Sequence, residues 1–192
     1  MIVIKRNSLR QRRRALTPQQ QDAAAIAIKH NLGQAAEFLR ARRIASYLAN
    51  DGEISPHIII SEAEKRNKQT YLPVLHPLKQ NRLFFVRHHQ PQALRKNRFG
   101  IKEPLFWANP MAATWTLDII LLPLVGFDRE GNRLGMDGGY YDRTLARLHH
   151  KAGKRPVLIG LAHHCQEVMQ LQAQNWDIPL DIIATDRELI RI

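Results

Sequence analysis

The stretch LDIILLPLVGFDREGNRLGMDGGYYDR, Leu117 to Arg143, decides how this chain is read. Its first part, Ile119 to Val125, is an almost unbroken apolar run, the pattern of a strand buried on both faces of a sheet. Pro123 cannot donate to a ladder, so the strand is expected to end near it. The backbone then crosses a short polar turn and meets three glycines, Gly135, Gly138 and Gly139. Tyr140, Tyr141, Asp142 and Arg143 follow at once and can open a helix. Buried strand, glycine loop and helix start, in that order, place main-chain N–H groups where an anion can sit. The loop is neither a dinucleotide fingerprint nor a P-loop, because no G-x-G-x-x-G follows the strand and no G-K-[ST] is present. Three glycines can also serve a purely conformational turn. Arg133 and Arg143 favour the anion, since a guanidinium forks onto phosphate oxygens. Asp142 is placed either to cap the helix or to hold Mg²⁺.

Upstream, residues 4–15 are predicted to form a helix with Arg6, Arg10 and Arg14 on one face, either a solvated stripe or a clamp on a nucleotide tail. Thr17, Pro18 and Gln20 spell a capping box with proline at the first helical position, opening an alanine-rich helix to about His30. A further helix is expected to carry Phe38, Leu39, Ile44, Tyr47 and Leu48 and to stop near Asn50-Asp51-Gly52, and another runs from Ile58 to Lys65. Strands are expected over Thr70–Leu75 and Leu83–Val86. Beyond the glycine loop come a helix over Asp142–His149, a strand over Val157–Leu161, a helix over His164–Gln174 and a short strand over Ile182–Ala184. Strands spaced by helical segments give an α/β fold: a three-layer, single domain over residues 1–192 with a mostly parallel central sheet and helices on both faces.

The net charge is +12, but it is spread along the chain, which suits an enzyme for small polyanions better than a nucleic-acid binder. The single cysteine, Cys165, excludes an internal disulfide and a four-cysteine zinc site. His163-His164-Cys165 has no third ligand at zinc spacing. No apolar run reaches the ~20 residues that span a bilayer, and the basic start is not a secretory signal, so a cytoplasmic protein is expected. Glu53, after the Asp51-Gly52 stop, is either a surface carboxylate or one that points into a crevice to accept hydrogen bonds.

KRNSLR at the start, YLANDGEI at 47–54, YLPV at 71–74, FGIKEP at 99–104, the RLGMDGGYYDR segment and WDIPLDIIAT at 176–185 occur in order along nearly the whole chain. Together they resemble the 5-formyltetrahydrofolate cyclo-ligase family, also called 5,10-methenyltetrahydrofolate synthetase. The resemblance implies a fold like the ribose-5-phosphate isomerase and CoA-transferase group. It also implies ATP- and Mg²⁺-dependent conversion of 5-formyltetrahydrofolate to 5,10-methenyltetrahydrofolate, with release of ADP and phosphate: ATP phosphorylates the formyl oxygen, N10 attacks the activated carbon, and phosphate leaves as the ring closes.

By motif, the resemblance puts Arg6 and Arg10 on the nucleotide phosphates. It makes Leu134, Gly135, Met136, Asp137, Gly138, Gly139, Tyr140, Tyr141 and Asp142 the ATP loop. It places Leu48 and Glu53 on the folate, with Met136 to Tyr140 where folate and ATP meet. Arg133, Tyr141 and Asp142 take catalytic roles, and Asp142 and Asp177 are the Mg²⁺-associated carboxylates. The implied partner is a reduced folate, with or without a polyglutamate tail that basic residues would meet, and a monomer is expected. Two positions depart from the family pattern. His164 stands where relatives often have an acidic residue. Asp137 replaces the middle glycine of a G-x-G-x-G series. A carboxylate there repels a triphosphate unless it is bridged by Mg²⁺ or turned outward, so the alternative is a folate- or nucleotide-binding relative with little turnover.

Overall fold

Four successive side chains of the apolar run, Ile119 to Leu122, are at most 1% exposed, so this segment has to lie inside a sheet covered on both faces. In the computed structural model, which describes residues 6–89, 92–136, 138–149 and 155–192, it does. It forms strand β7 (Ile119–Pro123), flanked in parallel by β1 (Arg43–Ala45) and β10 (Val157–Ala162). Parallel pairing continues outward to β2 (Gln69–Leu75) on one side and β11 (Ile182–Thr185) on the other. Antiparallel strands finish the edges: β12 (Leu189–Arg191) beyond β11, and β3 (Leu83–His88) then β6 (Met111–Ala112) beyond β2. The sheet order is β12-β11-β10-β7-β1-β2-β3-β6. Two small hairpins stand apart from it, β4 (Leu94–Lys96) with β5 (Lys102–Pro104), and β8 (Gly126–Phe127) with β9 (Arg133–Leu134).

Alternation along β7 divides the core. Ile119 and Leu121 join Ile44, Ile159 and Ile182 under α2 (Pro18–Gly33), α3 (Ala36–Arg40) and α4 (His57–Lys65), which contribute Ile28, Leu32, Phe38 and Ile59. Ile120 and Leu122 face the other way, with Ala45, Leu158, Ile183, Phe127 and Leu145 of α5 (Tyr140–His149). This is the expected three-layer α/β arrangement. The capping box forms as read: the Thr17 hydroxyl accepts from Gln20 N at 3.2 Å, and Thr17 N donates to Gln20 Oε1 at 2.8 Å. The first helix, α1, spans Arg6–Arg14. Among the described residues no helix is long and apolar enough to cross a membrane.

Two expected helices are not there. The one through Phe38–Leu48 is only the short α3; it ends because Ala41 turns extended at ψ 137°. The Asp118 carboxylate then accepts both Arg42 N and Arg43 N at 2.9 Å, and aligns the chain beside β7 as β1, in the middle of the sheet. Ile44 and Ala45 bury on opposite faces, and that two-sided burial outweighs helix propensity. The helix over His164–Gln174 is one 3₁₀ turn, His164–Gln166. The donors a longer helix would use are taken elsewhere: Val168 N by Phe127 O at 2.9 Å, and Leu171 N by the Asp128 carboxylate at 2.8 Å.

Candidate active site around the glycine loop

Ligands of parallel α/β sheets collect beyond the carboxyl ends of the strands. At that end of β7 the chain turns into the β8–β9 hairpin, where Gly126 pairs with Leu134 and Phe127 with Arg133. Asp128 fixes the hairpin turn by accepting Glu130 N and Asn132 N, each at 3.0 Å. The hairpin returns the chain to Leu134, whose carbonyl accepts Val125 N at 2.8 Å, so the glycine loop leaves from a point tied to the core.

Helix α1 lies against this hairpin. A Cβ on Gly126 would stand 2.6 Å from Leu9 Cδ1, so any larger residue would have to displace the buried Leu9 side chain. Arg6 Nε donates to Gly135 O at 2.9 Å, which puts it on the loop. Arg10 Nε meets Asp51 Oδ2 at 2.8 Å instead. Asp51 also takes Arg13 at 2.8 Å and forms an ion pair with Arg14. It does so from a left-handed backbone, φ 54°, that presents its carboxylate to all three guanidiniums. Burial pushes the Asp51 carboxyl up, but the three arginines outweigh it and hold the group down at about 2.

Two residues on is Glu53. Its side chain is 9% exposed, Asn50 N donates to Oε2 at 3.1 Å, and Arg13 Nη2 is 3.8 Å from Oε1. Burial raises its proton affinity more than the Asn50 hydrogen bond and the Arg13 charge lower it, giving a pKa of about 7. Glu53 is therefore a largely buried carboxylate and not a solvated surface one. Tyr141, in the first turn of α5, and Tyr47 both feel its charge, and burial followed by that charge raises both phenols. Leu48, half-buried on the same segment, lines a separate small cleft with Ser46, Ser55, His57 and His88, and Glu53 is not part of that cleft.

The far side of the loop begins α5. Gly139 has φ 58°, and a Cβ on it would meet Arg143 Nη1 at 2.7 Å; that same nitrogen donates to Gly138 O at 2.7 Å. The Tyr140 hydroxyl accepts Arg98 Nη2 at 2.7 Å, and its ring meets Phe99 edge-on at 5.9 Å. Arg133, 7% exposed, pairs with Asp142 and also donates to Ile178 O, one residue past Asp177. Asp177 Oδ2 accepts Gln174 N at 2.9 Å. One guanidinium thus binds the carboxylate of Asp142 and the backbone next to Asp177. Met136 reaches back, with its sulfur 3.6 Å from Arg13 Nη2. Asp137 lies outside the described residues.

The structure therefore brings Arg6, Arg10, Glu53, Arg133, Gly135, Met136, Tyr140, Tyr141 and Asp142 around one end of β7, while Leu48 lines its own cleft. Sequence reading passed over four participants. Arg13 was hidden among the neighbouring arginines of α1, although it is the fully buried one. Asp51 read as a turn residue. Arg98 and Phe99 stood in the FGIKEP region with no role assigned, and the signal there was an arginine-aromatic pair before a glycine. Two other features lie outside the loop itself. A depression of about 280 Å³ opens at the opposite, amino ends of β10 and β11, between the pairs Arg155–Asp181 and Arg191–Glu37. Among the described residues, the one group of three metal-competent side chains is His164, Glu167 and Glu188, and Arg129 already bridges both glutamates.

The 5-formyltetrahydrofolate cyclo-ligase family model matches residues 4–186. The 5-formyltetrahydrofolate cyclo-ligase of Haemophilus influenzae is 40% identical over 91% of this chain and 92% of its own. That of Escherichia coli strain K12 is also 40% identical, over 92% of this chain and 96% of its own. The solved structure of Aquifex aeolicus 5,10-methenyltetrahydrofolate synthetase superposes with a TM-score of 0.81 at 29% identity, over 97% of this chain and 90% of that one. The matched range takes in the glycine loop, the arginine-bearing first helix and the Asp-Gly-Glu turn that meet at the end of β7, and this chain belongs to the 5-formyltetrahydrofolate cyclo-ligase family.

Proposed function

We propose that the chain, as one domain over residues 1–192, catalyses ATP-dependent cyclisation of 5-formyltetrahydrofolate to 5,10-methenyltetrahydrofolate, with ADP and phosphate released. The observation that carries this reading is the convergence of an arginine-lined glycine loop with a buried carboxylate, Glu53, at the same end of β7. An amide-type oxygen leaves poorly, and phosphorylation makes it a good leaving group. The chain's part is to hold the triphosphate, offer donors to the transferring group, and keep N10 beside the activated carbon. Loop N–H groups at the start of α5, with Arg6 beside Gly135, suit the phosphates. Glu53, ionised, accepts from a donor-rich edge of the pterin. Tyr141, its phenol kept protonated by burial, closes that side. Tyr140 stands between the two ligands, steadied by Arg98 and Phe99.

Asp142 and Asp177 are oxygen donors, each already giving one oxygen to a protein donor, and such a set suits a hard cation that keeps much of its water. These two residues would hold Mg²⁺, which would neutralise charge on the triphosphate. Arg133 orients Asp142 and adds positive charge beside it. The protein acts as a monomer in the cytoplasm, on folates with or without a polyglutamate tail. The test is incubation with 5-formyltetrahydrofolate, ATP and Mg²⁺ while methenyltetrahydrofolate absorbance is followed. Absence of nucleotide-dependent product would sink the enzymatic claim. A large gain in the parallel Asp137→Gly protein would instead favour a binding relative damped at that position.

A further inference from the structure

We propose that Arg13 is a positioning residue for this reaction: its buried guanidinium ties Glu53 to the glycine loop and sets a positive charge beside the carboxylate that meets the substrate. The proposal rests on the reading of Glu53 as the folate-facing carboxylate. Arg13 is 0% exposed. Its Nε donates to Asp51 O at 2.9 Å and its Nη1 to Leu124 O at 2.9 Å. Its Nη2 reaches Asp51 Oδ2 at 2.8 Å and Met136 Sδ at 3.6 Å, and stands 3.8 Å from Glu53 Oε1. One planar fork thus touches the turn that bears Glu53, the chain leaving β7, and the loop.

A buried guanidinium is a poor choice for stability alone, since an apolar side chain of like volume often serves as well or better. Nor is it needed just to pin α1, because Arg10 and Arg14 already bind Asp51 from the same helix. What Arg13 adds is a cation beside Glu53. The titratable and charged groups facing Glu53 are Arg13 from α1, Asp51 on its own turn, Tyr47 after β1 and Tyr141 from α5. Burial and the Asp51 charge favour the protonated form, while the Asn50 N–H and Arg13 favour the carboxylate. With both phenols protonated, Arg13 is the cation in that balance. Without its charge the balance would move further toward the protonated form, and a carboxylic acid presents a hydroxyl where a donor edge needs a second acceptor.

The experiment measures two things on the full chain for wild type, Arg13→Met, Arg13→Lys and Glu53→Gln. One is kcat and KM for 5-formyltetrahydrofolate from pH 6 to 9. The other is the ligand-free titration of Glu53, read as the infrared carboxylate difference between each protein and its Glu53→Gln counterpart. Arg13→Met is expected to raise the Glu53 midpoint by about one unit or more and to cut kcat/KM about tenfold at neutral pH. That loss is carried by KM and recovers toward pH 9. Arg13→Lys keeps the charge and should stay near the wild-type midpoint. If the midpoint does not move and kcat falls equally at every pH, Arg13 is a structural staple and the proposal is overturned. If the midpoint moves but folate KM does not, it is overturned through the folate reading of Glu53. Should Arg13→Met fail to fold, Arg13→Gln keeps donors for Asp51 O and Leu124 O without the charge and gives the same comparison.

Discussion

Asp51→Asn isolates how the first helix is fastened over the site. Asparagine has nearly the same shape and tolerates the left-handed backbone at φ 54°, so the turn itself is not the variable. What goes is one negative charge under three guanidiniums. The carboxyl lies at about 2 against an ordinary 3.8, a difference worth roughly 2 kcal/mol. Arg14 and Arg10 are 50% and 30% exposed, so water and salt screen part of that, leaving about 1–2 kcal/mol. Because the folded-state value is depressed, this stabilisation is complete above 3.8 and fades as pH falls toward about 2. Urea melts of the two proteins at pH 7 should therefore differ by about 1–2 kcal/mol, or ~2–8 °C in Tm for a chain of this size, and the gap should begin to narrow near pH 4, be about half as wide at pH 3 and close toward pH 2. A gap that is absent at pH 7, or equally wide at pH 3, would refute the argument that Asp51 acts by charge.

Three further outcomes follow from the same geometry. Glu53→Gln should stabilise the fold at pH 8 by up to about 3 kcal/mol and leave it unchanged near pH 4, because a carboxyl raised from 4.5 to about 7 loses stability as pH rises through that window; differential scanning calorimetry at the two pH values checks this, while folate KM should rise more than tenfold. Thr17→Ala removes the α2 cap, whose side chain bonds Gln20 of its own helix, and should lower stability by ~1 kcal/mol with KM for both substrates unmoved, as melts and initial rates would show. Arg6→Gln should raise KM for ATP about tenfold and leave folate KM within twofold; equal effects on both would remove Arg6 from the nucleotide side.

The path from strand to loop was legible because it needs little context. Ile119–Leu122 can only be buried, and glycines followed by Tyr140 can only turn and start a helix. Segments whose conformation depends on distant partners were not legible. Ile44 and Ala45 carry a pattern that suits helix or strand, and their place at the centre of the sheet depends on an aspartate more than seventy residues away. Residues after Gln166 look helical until Phe127 and Asp128 claim their donors. In the site, RLGMDGGYYDR marked the loop by itself. The roles of Arg13 and Asp51 emerge only when α1 and the 51–53 turn are brought together. Neighbouring arginines on a helix look alike in a sequence, and which of them is buried is decided by packing.

The docking of α1 also sets the order in which the protein can become competent. Its Arg13 contact with Leu124 closes a chain segment 111 residues long, and its Arg6 contact with Gly135 closes one of 129. The entropy of closing such loops grows only slowly with length, but it has to be spent before any contact rewards it. Helix α1 is made before its partners and therefore waits, amphipathic and basic, until the β8–β9 hairpin has been made and seated. During synthesis the sheet can begin to pair while the site remains open, and binding ability arrives in one late event.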